Sequence, residues 1–466
     1  MMQGRSHLSI LLVFVVLQLI EATPGCVERF YPGFDTNMVC VCNSTYCDAV
    51  LYQSTIDGKR MDKSTITISS APTGKLFTYD ATSLHQKVLG FGGAFTDATG
   101  INIISLPRAA QDLLMQQYFG PAGAEYTIGR VPIASTDFSL TQYSYADTPG
   151  DFNLTNFALQ DADYSYKIPF IKQAMTLQKG SGGLKLFASP WSAPAWMKSN
   201  NAMQGGGRLR GFEGGPYYVT WANYFVKFLE AYHKEGIDYW SVTVQNEPTT
   251  GLDPKYKWQT MFFSAEMERD FIKGQLGPAL RSNPVTKEVN IIILDDQRTI
   301  INEWADTILG DKEAASYTAG IGACEGWIAD LGEGIIMGDF SRAEDYAFSI
   351  IEDLNNFAGG WTDWNMALNP QGGPTYADNI VDSPIIVDAK EGVFMKQPMY
   401  YAITHFSKFL KPGASRTSLS VPSDMEVSAL AALMVDGRSI ADTQHPGEFI
   451  SLNIPPRSIN TIIWNK

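Results

Sequence analysis

Short apolar runs alternate with amphipathic stretches along most of this chain, from Val88 onward. The runs are rich in β-branched and aromatic residues and predict buried strands, whereas the stretches between them repeat hydrophobic residues at helical spacing. This alternation is typical of a parallel α/β fold. The predicted strands are Val88–Gly93, Tyr126–Ile133, Leu184–Ala188, Tyr239–Glu247, Val289–Leu294 and Phe357–Asn365. The predicted helices are Pro107–Phe119, Ile168–Leu177, Tyr217–Lys234, Ala265–Leu280, Ile301–Leu309 and Arg342–Asn356.

Polar and aromatic residues follow the predicted strands, with Asp137 after the second, Trp191 after the third and Asp295 after the fifth. A cap or a turn explains each of them alone, but together they indicate a (β/α)8 barrel, which collects functional groups at the carboxyl ends of its strands. Only six barrel strands can be placed. The segment between Ala319 and Ser341 has no convincing Val/Ile-rich strand, so about one βα unit, roughly 30 residues in a typical barrel, is missing there.

The two ends of the chain follow a different pattern. A basic residue precedes the apolar run Leu8–Ile20 and small residues follow it, which predicts a secretory signal peptide. Alternation over Ser64–Ser70 and the strand Ser458–Trp464 predict β-structure outside the barrel. The expected organisation is a signal peptide at 1–22, a small disulfide-bonded N-terminal sheet domain at 23–50, a β-sandwich from 51–85 and 415–466, and the barrel at 86–414.

Four of the five cysteines follow the predicted signal peptide, at Cys26, Cys40, Cys42 and Cys47. In an oxidising lumen they indicate two local disulfides, most simply Cys26–Cys40 and Cys42–Cys47, because Cys40 and Cys42 are too close in sequence to pair easily. A metal site is the alternative, although no histidine lies nearby. Cys324 is left as a free thiol, and Asn43 and Asn153 begin sequons that permit glycosylation.

Charge narrows the class of function. The net charge is −14 at pH 7, which disfavours nucleic-acid binding because that function needs a basic face. An acidic chain also suits an acidic lumen, where protonation neutralises part of the charge. No later segment has about 20 uninterrupted apolar residues, so the mature chain is expected to be soluble. The five histidines are scattered and no phosphate-binding loop is present, so neither a His-based triad nor a metal or cofactor is expected.

The fourth predicted strand ends on a carboxylate beside an amide. A Glu held at the end of a rigid strand can transfer a proton, and Asn246 can hydrogen-bond a substrate hydroxyl. A strand end followed by an ordinary turn explains the same residues equally well, since Pro248 stops the ladder in any case. Asn246-Glu247-Pro248 alone therefore does not separate a catalytic position from a structural one.

Ordered blocks along nearly the whole chain decide between these two readings. They are Cys40–Asn43, Gly90–Ala94, Arg130–Pro132, Ala188–Ser192, Asn246–Pro248, Leu294–Arg298, Gly360–Asn365, Val381–Asp388 and His405–Phe409. In these blocks the chain resembles the lysosomal acid glucosylceramidases (glucocerebrosidases) of glycoside hydrolase family 30, which are retaining enzymes. The resemblance implies a (β/α)8 TIM-type barrel with a β-sandwich and a small N-terminal sheet domain. It also implies hydrolysis of the β-glucosidic bond of glucosylceramide to glucose and ceramide by double displacement.

The resemblance carries over to single residues. By motif match, Glu247 is implied to be the general acid/base. Five residues fall where the family contacts glucose: Asp137, Trp191, Asn246, Trp364 and Asn379. The implied setting is the lysosomal lumen, with peripheral association to a membrane that carries the glycosphingolipid substrate. The resemblance also implies a saposin-type activator protein as a further partner.

The match breaks where the family has its nucleophile, a Glu two residues before a Cys at the end of strand seven. Cys324 aligns with that Cys, but the nucleophile position holds Gly322. Glu325 is the nearest carboxylate. Because it lies three positions beyond Gly322, and an odd shift along a strand reverses the side-chain direction, Glu325 is expected to point away from the site. A second, smaller loss is expected near 437–447, where the family has a Val/Leu-rich sandwich strand.

Two hypotheses follow. In the first, the chain is a glucosylceramidase whose recorded sequence lacks segments through a mis-assembled gene model, and the clean excision of one block favours this. In the second, it is a genuine splice form or paralogue that retains at most glycolipid or partner binding. In both cases we expect the polypeptide to lack retaining glucosidase activity. We also expect low stability, since a lost βα unit leaves strand edges unpaired.

Overall fold

The computed structural model describes residues 9–15, 28–30, 38–42, 53–64, 67–69, 75–179, 183–324, 334–425, 427–433, 449–451 and 455–463. The strands in these ranges are β1 (Ser9–Val15), β2 (Glu28–Phe30), β3 (Met38–Cys42), β4 (Gln53–Thr55), β5 (Thr67–Ser69), β6 (Thr78–Lys87), β7 (Gly90–Ala94), β8 (Ile128–Ile133), β9 (Lys185–Pro190), β10 (Ser241–Thr243), β11 (Asn290–Gln297), β12 (Thr318–Cys324), β13 (Gly360–Asn365), β14 (Ala367–Leu368), β15 (Ile385–Asp388), β16 (Val393–Lys396), β17 (Ser415–Ser420), β18 (Val427–Leu433), β19 (Phe449–Ser451) and β20 (Ser458–Ile463).

The α-helices are α1 (Asp97–Ile104), α2 (Arg108–Phe119), α3 (Ile168–Leu177), α4 (Pro216–Lys234), α5 (Ala265–Phe271), α6 (Gly277–Ser282), α7 (Ile301–Trp304), α8 (Lys312–Tyr317), α9 (Phe340–Asn355) and α10 (Pro398–Ser407). Short 3-10 helices lie at Ala195–Met197, Pro248–Leu252 and Arg298–Ile300. π-Helical turns lie at Asp163–Lys167, Ile272–Leu276 and Ala305–Leu309.

Seven parallel strands form one curled sheet in the order β12-β11-β10-β9-β8-β7-β13. From β7 to β12 the spatial order follows the chain, and β13 returns to pair with β7. Helices separate most of the successive strands, as in a TIM barrel. Among the described residues β12 and β13 each pair with only one strand of this sheet. The sheet is therefore a half-barrel with two edges, and the expected α/β barrel-type fold is confirmed.

The prediction that the segment between Ala319 and Ser341 has no convincing strand was wrong. The stretch Thr318–Cys324 is β12, although it has two glycines and a single β-branched apolar residue. It pairs with β11 from Ile291 to Gln297, with two shifts of register. Seven barrel strands are therefore present rather than six. A neighbouring strand that supplies hydrogen-bond partners overrides weak local propensity, and the sequence of β12 alone does not show this.

The helix pattern follows the burial pattern closely. The longest helix, α4, has a proline at its first position, where the missing N–H costs nothing, and basic residues in its last turn. Its buried side chains recur at intervals of three and four, including Trp221, Phe225 and Phe228. The two predicted helices Ala265–Leu280 and Ile301–Leu309 exist, but a π-helical turn interrupts the first and ends the second.

A six-stranded sheet lies outside the barrel, in the order β4-β20-β1-β18-β17-β6. Strands from 51–85 pair here with strands from 415–466, β4 with β20 and β6 with β17. Thr67–Ser69 pairs with Phe449–Ser451 in a separate two-stranded sheet. The central strand β1 runs parallel to both β18 and β20. β1 lies in the apolar run that predicts the signal peptide. Because the same apolar run is compatible with a signal peptide and with a strand, the signal peptide stays a prediction.

The N-terminal strands β2 and β3 extend a mixed sheet in the order β14-β15-β16-β3-β2. β3 is hydrogen-bonded to β16, in the chain segment that follows the last barrel strand, and β2 is hydrogen-bonded to β3. Cys26, Cys47, Asn43 and the stretch 437–447 lie outside the described residues, so the disulfides, the first sequon and the lost sandwich strand stay predictions. Asn153 is exposed in a turn. Within the described ranges, no helix is both long and apolar enough to cross a membrane.

Candidate functional site

Glu247 lies just beyond the carboxyl end of β10, at the entrance to the 3-10 helix Pro248–Leu252. The strand itself ends at Thr243, so Glu247 is a turn residue and not a strand residue. Its backbone is left-handed, with φ of 43°, and its N–H donates to the carbonyl of Asp295 at 2.9 Å. Left-handed backbone at a non-glycine residue is strained and persists where surrounding contacts fix it. Here the bond to Asp295 is one such contact.

The carboxyl group of Glu247 holds its proton more tightly than a free glutamate. Burial raises its pKa to about 7, and the nearby charges of Asp296 and Asp137 add to the rise. The Tyr256 hydroxyl donates to Glu247 Oε2 at 3.2 Å, which lowers the pKa, as does the charge of Arg130. A carboxyl group that stays protonated in mildly acidic solution is suited to donate a proton to a leaving oxygen.

Arg130 on β8 connects the end of β10 to the end of β11. Its Nη2 donates to Asn246 Oδ1 at 2.7 Å and to Asp295 Oδ2 at 2.8 Å. The same Asp295 oxygen accepts from Ser189 Oγ at 2.8 Å and from Thr243 Oγ1 at 2.7 Å. The guanidinium and its carboxylate partner are both nearly buried. A nearly buried pair with several hydrogen bonds fixes the orientation of the Asn246 amide.

Two tryptophans border the same arginine. The rings of Trp191 and Trp364 are stacked, with centroids 5.0 Å apart and an interplanar angle of 21°. The Arg130 guanidinium carbon lies 5.0 Å from the centroid of Trp191 and 5.4 Å from that of Trp364. Trp191 is buried and Trp364 is half-buried, so Trp364 offers more of its ring to an incoming ligand. Aromatic rings at such a position suit the apolar faces of a sugar.

Asp137 and Asn379 form a second part of the site, on loops that follow β8 and β14. The Asn379 amide donates to Asp137 Oδ2 at 2.8 Å, and the Thr375 hydroxyl donates to the Asp137 carbonyl at 2.7 Å. Asp137 is buried and its charge reaches Glu247, because it is one of the groups that raise the pKa of that residue. All six residues predicted for the site therefore lie at the carboxyl side of the half-barrel, in two bonded groups.

The arrangement also contains residues that were not among the predicted site residues, including Arg130, Asp296 and Tyr256. Asp296 lies two residues beyond the predicted strand Val289–Leu294, where barrels place functional groups, so a signal for it existed. Its carboxylate accepts from the backbone N and hydroxyl of Thr249, at 3.0 and 2.6 Å. Arg130 is a charged residue inside an apolar strand, which indicates a partner. Tyr256 lies in a loop without a pattern and could only be found in three dimensions.

The region where the resemblance places the nucleophile is described only in part. Gly322 lies on β12 and pairs with Leu294 of β11, so β12 takes the place next to the fifth barrel strand. None of the residues of β12 is a carboxylate. Glu325 lies outside the described residues, so its expected orientation stays a prediction. In the described part of the chain, no group of three or more His, Cys, Asp or Glu side chains is arranged to hold a metal ion.

Comparison with known proteins places this geometry in context. The sequence profile of the Glycosyl hydrolase family 30 TIM-barrel domain matches residues 88–330 and 323–410. "Putative glucosylceramidase 4" of Caenorhabditis elegans is 45% identical over 92% of this chain and 93% of the relative. "Lysosomal acid glucosylceramidase" of Mus musculus is 40% identical over 98% of this chain and 99% of the relative. The solved structure of SrfJ from Salmonella typhimurium superposes with a TM-score of 0.71 and 27% identity, covering 79% of this chain and 86% of that one.

Proposed function

Because this chain belongs to glycosyl hydrolase family 30, we propose that its site recognises the β-glucosyl headgroup of glucosylceramide and holds Glu247 as the general acid/base. We further propose that the chain as written binds this substrate without completing hydrolysis. The observation that carries the proposal is the position of Glu247 beyond the carboxyl end of a barrel strand, beside Asn246 and bonded to Tyr256, where burial raises its pKa to about 7. An acid in this state, beside the amide of Asn246 fixed by Arg130, is half of a retaining glycosidase site.

The chemistry needs a second carboxyl group. In a retaining glycosidase one carboxyl protonates the glycosidic oxygen while the other, about 5–5.5 Å away, attacks the anomeric carbon and forms the glycosyl-enzyme. Glu247 would donate the proton of the first displacement to the leaving oxygen, and its protonation in acidic solution suits a lysosomal lumen. Gly322 stands where the resemblance places the attacking Glu, so the covalent intermediate has no nucleophile in this proposal. Asp137 and Asn379 would hold hydroxyl groups of the glucose ring, and Trp191 and Trp364 would border it.

A longer form of the chain that completes the double displacement is the second candidate. The alignment to the Mus musculus relative is 518 positions long although it covers only 98% of this 466-residue chain, so that relative carries segments without a counterpart here. The family profile matches in two overlapping pieces that meet at residues 323–330, beside Gly322. These observations support an incomplete gene model over gradual decay. An uninterrupted messenger RNA that encodes the Ile321–Ala323 junction would contradict this account and leave an inactive splice form or paralogue.

The proposed substrate is a lipid, and several segments that follow barrel strands expose apolar side chains. Large apolar side chains are exposed on segments that follow the carboxyl ends of barrel strands: Leu140, Phe212, Leu252 and Ile380. Exposed apolar side chains near a polar site suit an enzyme that approaches a membrane to reach a headgroup. We therefore place the chain in the lysosomal lumen, peripherally associated with the membrane. A saposin-type activator is a further expected partner, since such a protein presents lipid to an enzyme.

The test separates binding from turnover. The purified chain is assayed with a fluorogenic β-glucoside at pH 5, and its binding to vesicles that contain glucosylceramide is compared with binding to vesicles that contain galactosylceramide. We expect no turnover and preferential binding to glucosylceramide. Turnover that disappears in Glu247→Gln would show that a nucleophile is present. Equal binding to both vesicle types would contradict recognition of the glucosyl headgroup.

A further inference from the structure

Glu268 is a carboxylate buried beside the site on a neighbouring helix. It belongs to α5 and has no exposed surface. Its two oxygens accept hydrogen bonds from two different elements, Oε2 from the indole N–H of Trp304 at 2.7 Å and Oε1 from the backbone N–H of Leu294 at 3.1 Å. Burial raises its pKa to about 7. A buried acid is costly to keep in a fold, and both of its contacts go to groups that an ordinary apolar side chain could not satisfy.

The backbone that Glu268 contacts is strained. Leu294 and the next residue, Asp295, both have left-handed backbone, with φ of 75° and 54°. Left-handed conformation is strained for a non-glycine residue, and here two such residues are adjacent. The pairing of β11 with β12 shifts its register between Leu294 and Asp296 as a result. A strained conformation of this kind persists only where specific contacts hold it, and the bond from Leu294 N to Glu268 is one.

The strained turn sets the direction of groups that touch the site. The Asp295 carboxylate accepts a hydrogen bond from Arg130 Nη2 at 2.8 Å, and the Asp295 backbone carbonyl accepts one from the N–H of Glu247 at 2.9 Å. In a regular strand, successive side chains alternate between the two faces of the sheet. Without the turn, the Asp295 carboxylate would leave Arg130, which in turn orients Asn246. The backbone conformation of Leu294 and Asp295 therefore affects the position of Glu247. Through Arg130 it also affects the orientation of the Asn246 amide.

We propose that Glu268 is a positioning residue for the site: it holds the left-handed turn at Leu294–Asp295, and that turn fixes Arg130 and the backbone of Glu247. Glu268 touches no substrate and no reacting atom. What it positions is the sugar-binding constellation, so the inference rests on the proposed function for the identity of the ligand. Its geometric content, that the turn depends on Glu268, stands independently of the ligand.

The experiment compares variants that remove different contacts. Glu268→Leu removes both acceptors, Trp304→Phe removes only the indole donor, and Glu266→Gln changes an exposed acid on the same helix. Each variant is measured by thermal unfolding and by calorimetric binding of deoxynojirimycin, a glucose-shaped cation. We expect E268L to weaken binding at least tenfold and W304F to leave it within threefold, although both lower the unfolding midpoint. E266Q should match the wild type in both measurements.

Crystal structures of the wild type and E268L give a readout that needs no ligand. We expect E268L to lose the positive φ angles at Leu294 and Asp295 and the contact from Arg130 to Asp295. Retention of these features, or a loss of binding in E268L no greater than in W304F, would overturn the inference. If E268L does not fold, Glu268→Gln decides: its amide oxygen should face Leu294 N, and an oxygen facing Trp304 with unchanged binding would overturn the inference. A wild type that does not bind the iminosugar refutes the proposed function, and the crystal comparison then decides on Glu268 alone.

Discussion

The protonation of Glu247 is set by opposing neighbours. Burial and the charges of Asp296 and Asp137 favour the neutral acid, whereas the Tyr256 hydroxyl and Arg130 favour the carboxylate. Tyr256 is the neighbour that can be removed with least damage, because its hydroxyl lies at the tip of a half-buried ring in a loop. It contacts the acid directly, at 3.2 Å. The tyrosine therefore offers a way to measure how far one hydrogen bond shifts this proton.

We expect Tyr256→Phe to raise the pKa of Glu247 further above 7, because it removes a donor to the charged form. One hydrogen bond of this kind is worth on the order of 1 kcal/mol, so the rise should be no more than about one pKa unit. The measurement is a carbon-13 titration of labelled glutamate side chains. Trp258→Phe is the matched control. The ring centroids of Trp258 and Tyr256 are 4.7 Å apart, but Trp258 is not among the groups that shift the pKa of Glu247. A pKa that stays constant or falls in Y256F would contradict this account.

At the scale of elements, most strands of the half-barrel were predictable from the sequence, but the edge strand β12 was not. The strands β7 to β11, and β13, overlap their predicted bounds. β-Branched residues mark β8, β10 and β11, whereas β7, β9 and β13 have at most one such residue and were predicted from short apolar and aromatic runs. β12 could not be predicted, since its glycines form a strand only when β11 lies beside it. Likewise, sequence signals indicate Glu247 and Asp137. No sequence pattern indicates the contacts of Tyr256 and Glu268, which are found only in the three-dimensional structure.

The place of β12 predicts that a carboxylate at Gly322 does not restore catalysis. A Cβ at this position would meet Ile292 Cγ2 at 3.2 Å, and β12 occupies the place beside the fifth strand rather than the seventh place that the family's nucleophile strand takes. We expect Gly322→Glu to show no turnover of a fluorogenic β-glucoside above the wild-type background. The control is the same substitution combined with Glu247→Gln. Turnover in the single variant that vanishes in the double variant would show that the nucleophile position is reached from β12.

At the scale of the whole molecule, several buried acids make folding depend on pH. Burial raises the pKa of Glu247, Glu268 and Asp363 to about 7 each. Their folded pKa values exceed those of an unfolded chain, so the folded state binds these protons more tightly. The resulting stability is present below about pH 4 and is lost as the pH rises through 7. Buried His405 and Lys396 act in the opposite sense. Burial lowers the pKa of His405 to about 3 and that of Lys396 well below its usual value, so an unfolded chain binds these protons more tightly.

We expect the free energy of unfolding to be higher at pH 5 than at pH 7.5 by a few kcal/mol. Each carboxyl group contributes at most about 3 kcal/mol and His405 subtracts roughly 2 kcal/mol at pH 5. The measurement is urea unfolding at the two pH values. Asp363→Asn is the control, because it removes one of the three acids and should reduce the difference. A chain that is less stable at pH 5 would contradict the assignment of neutral buried acids and, with it, the fit to an acidic compartment.

The central place of β1 has a consequence for the timing of biosynthesis. Its partners β18 and β20 are made more than 400 residues later, which takes on the order of 20–80 s at ordinary rates of translation. A leader peptidase that cleaves near residue 22 during translocation would act before either partner exists. Removal of the leader and formation of this six-stranded sheet therefore exclude each other. N-terminal sequencing of the mature protein shows whether β1 is retained, and therefore whether the six-stranded sheet can form with β1 in it.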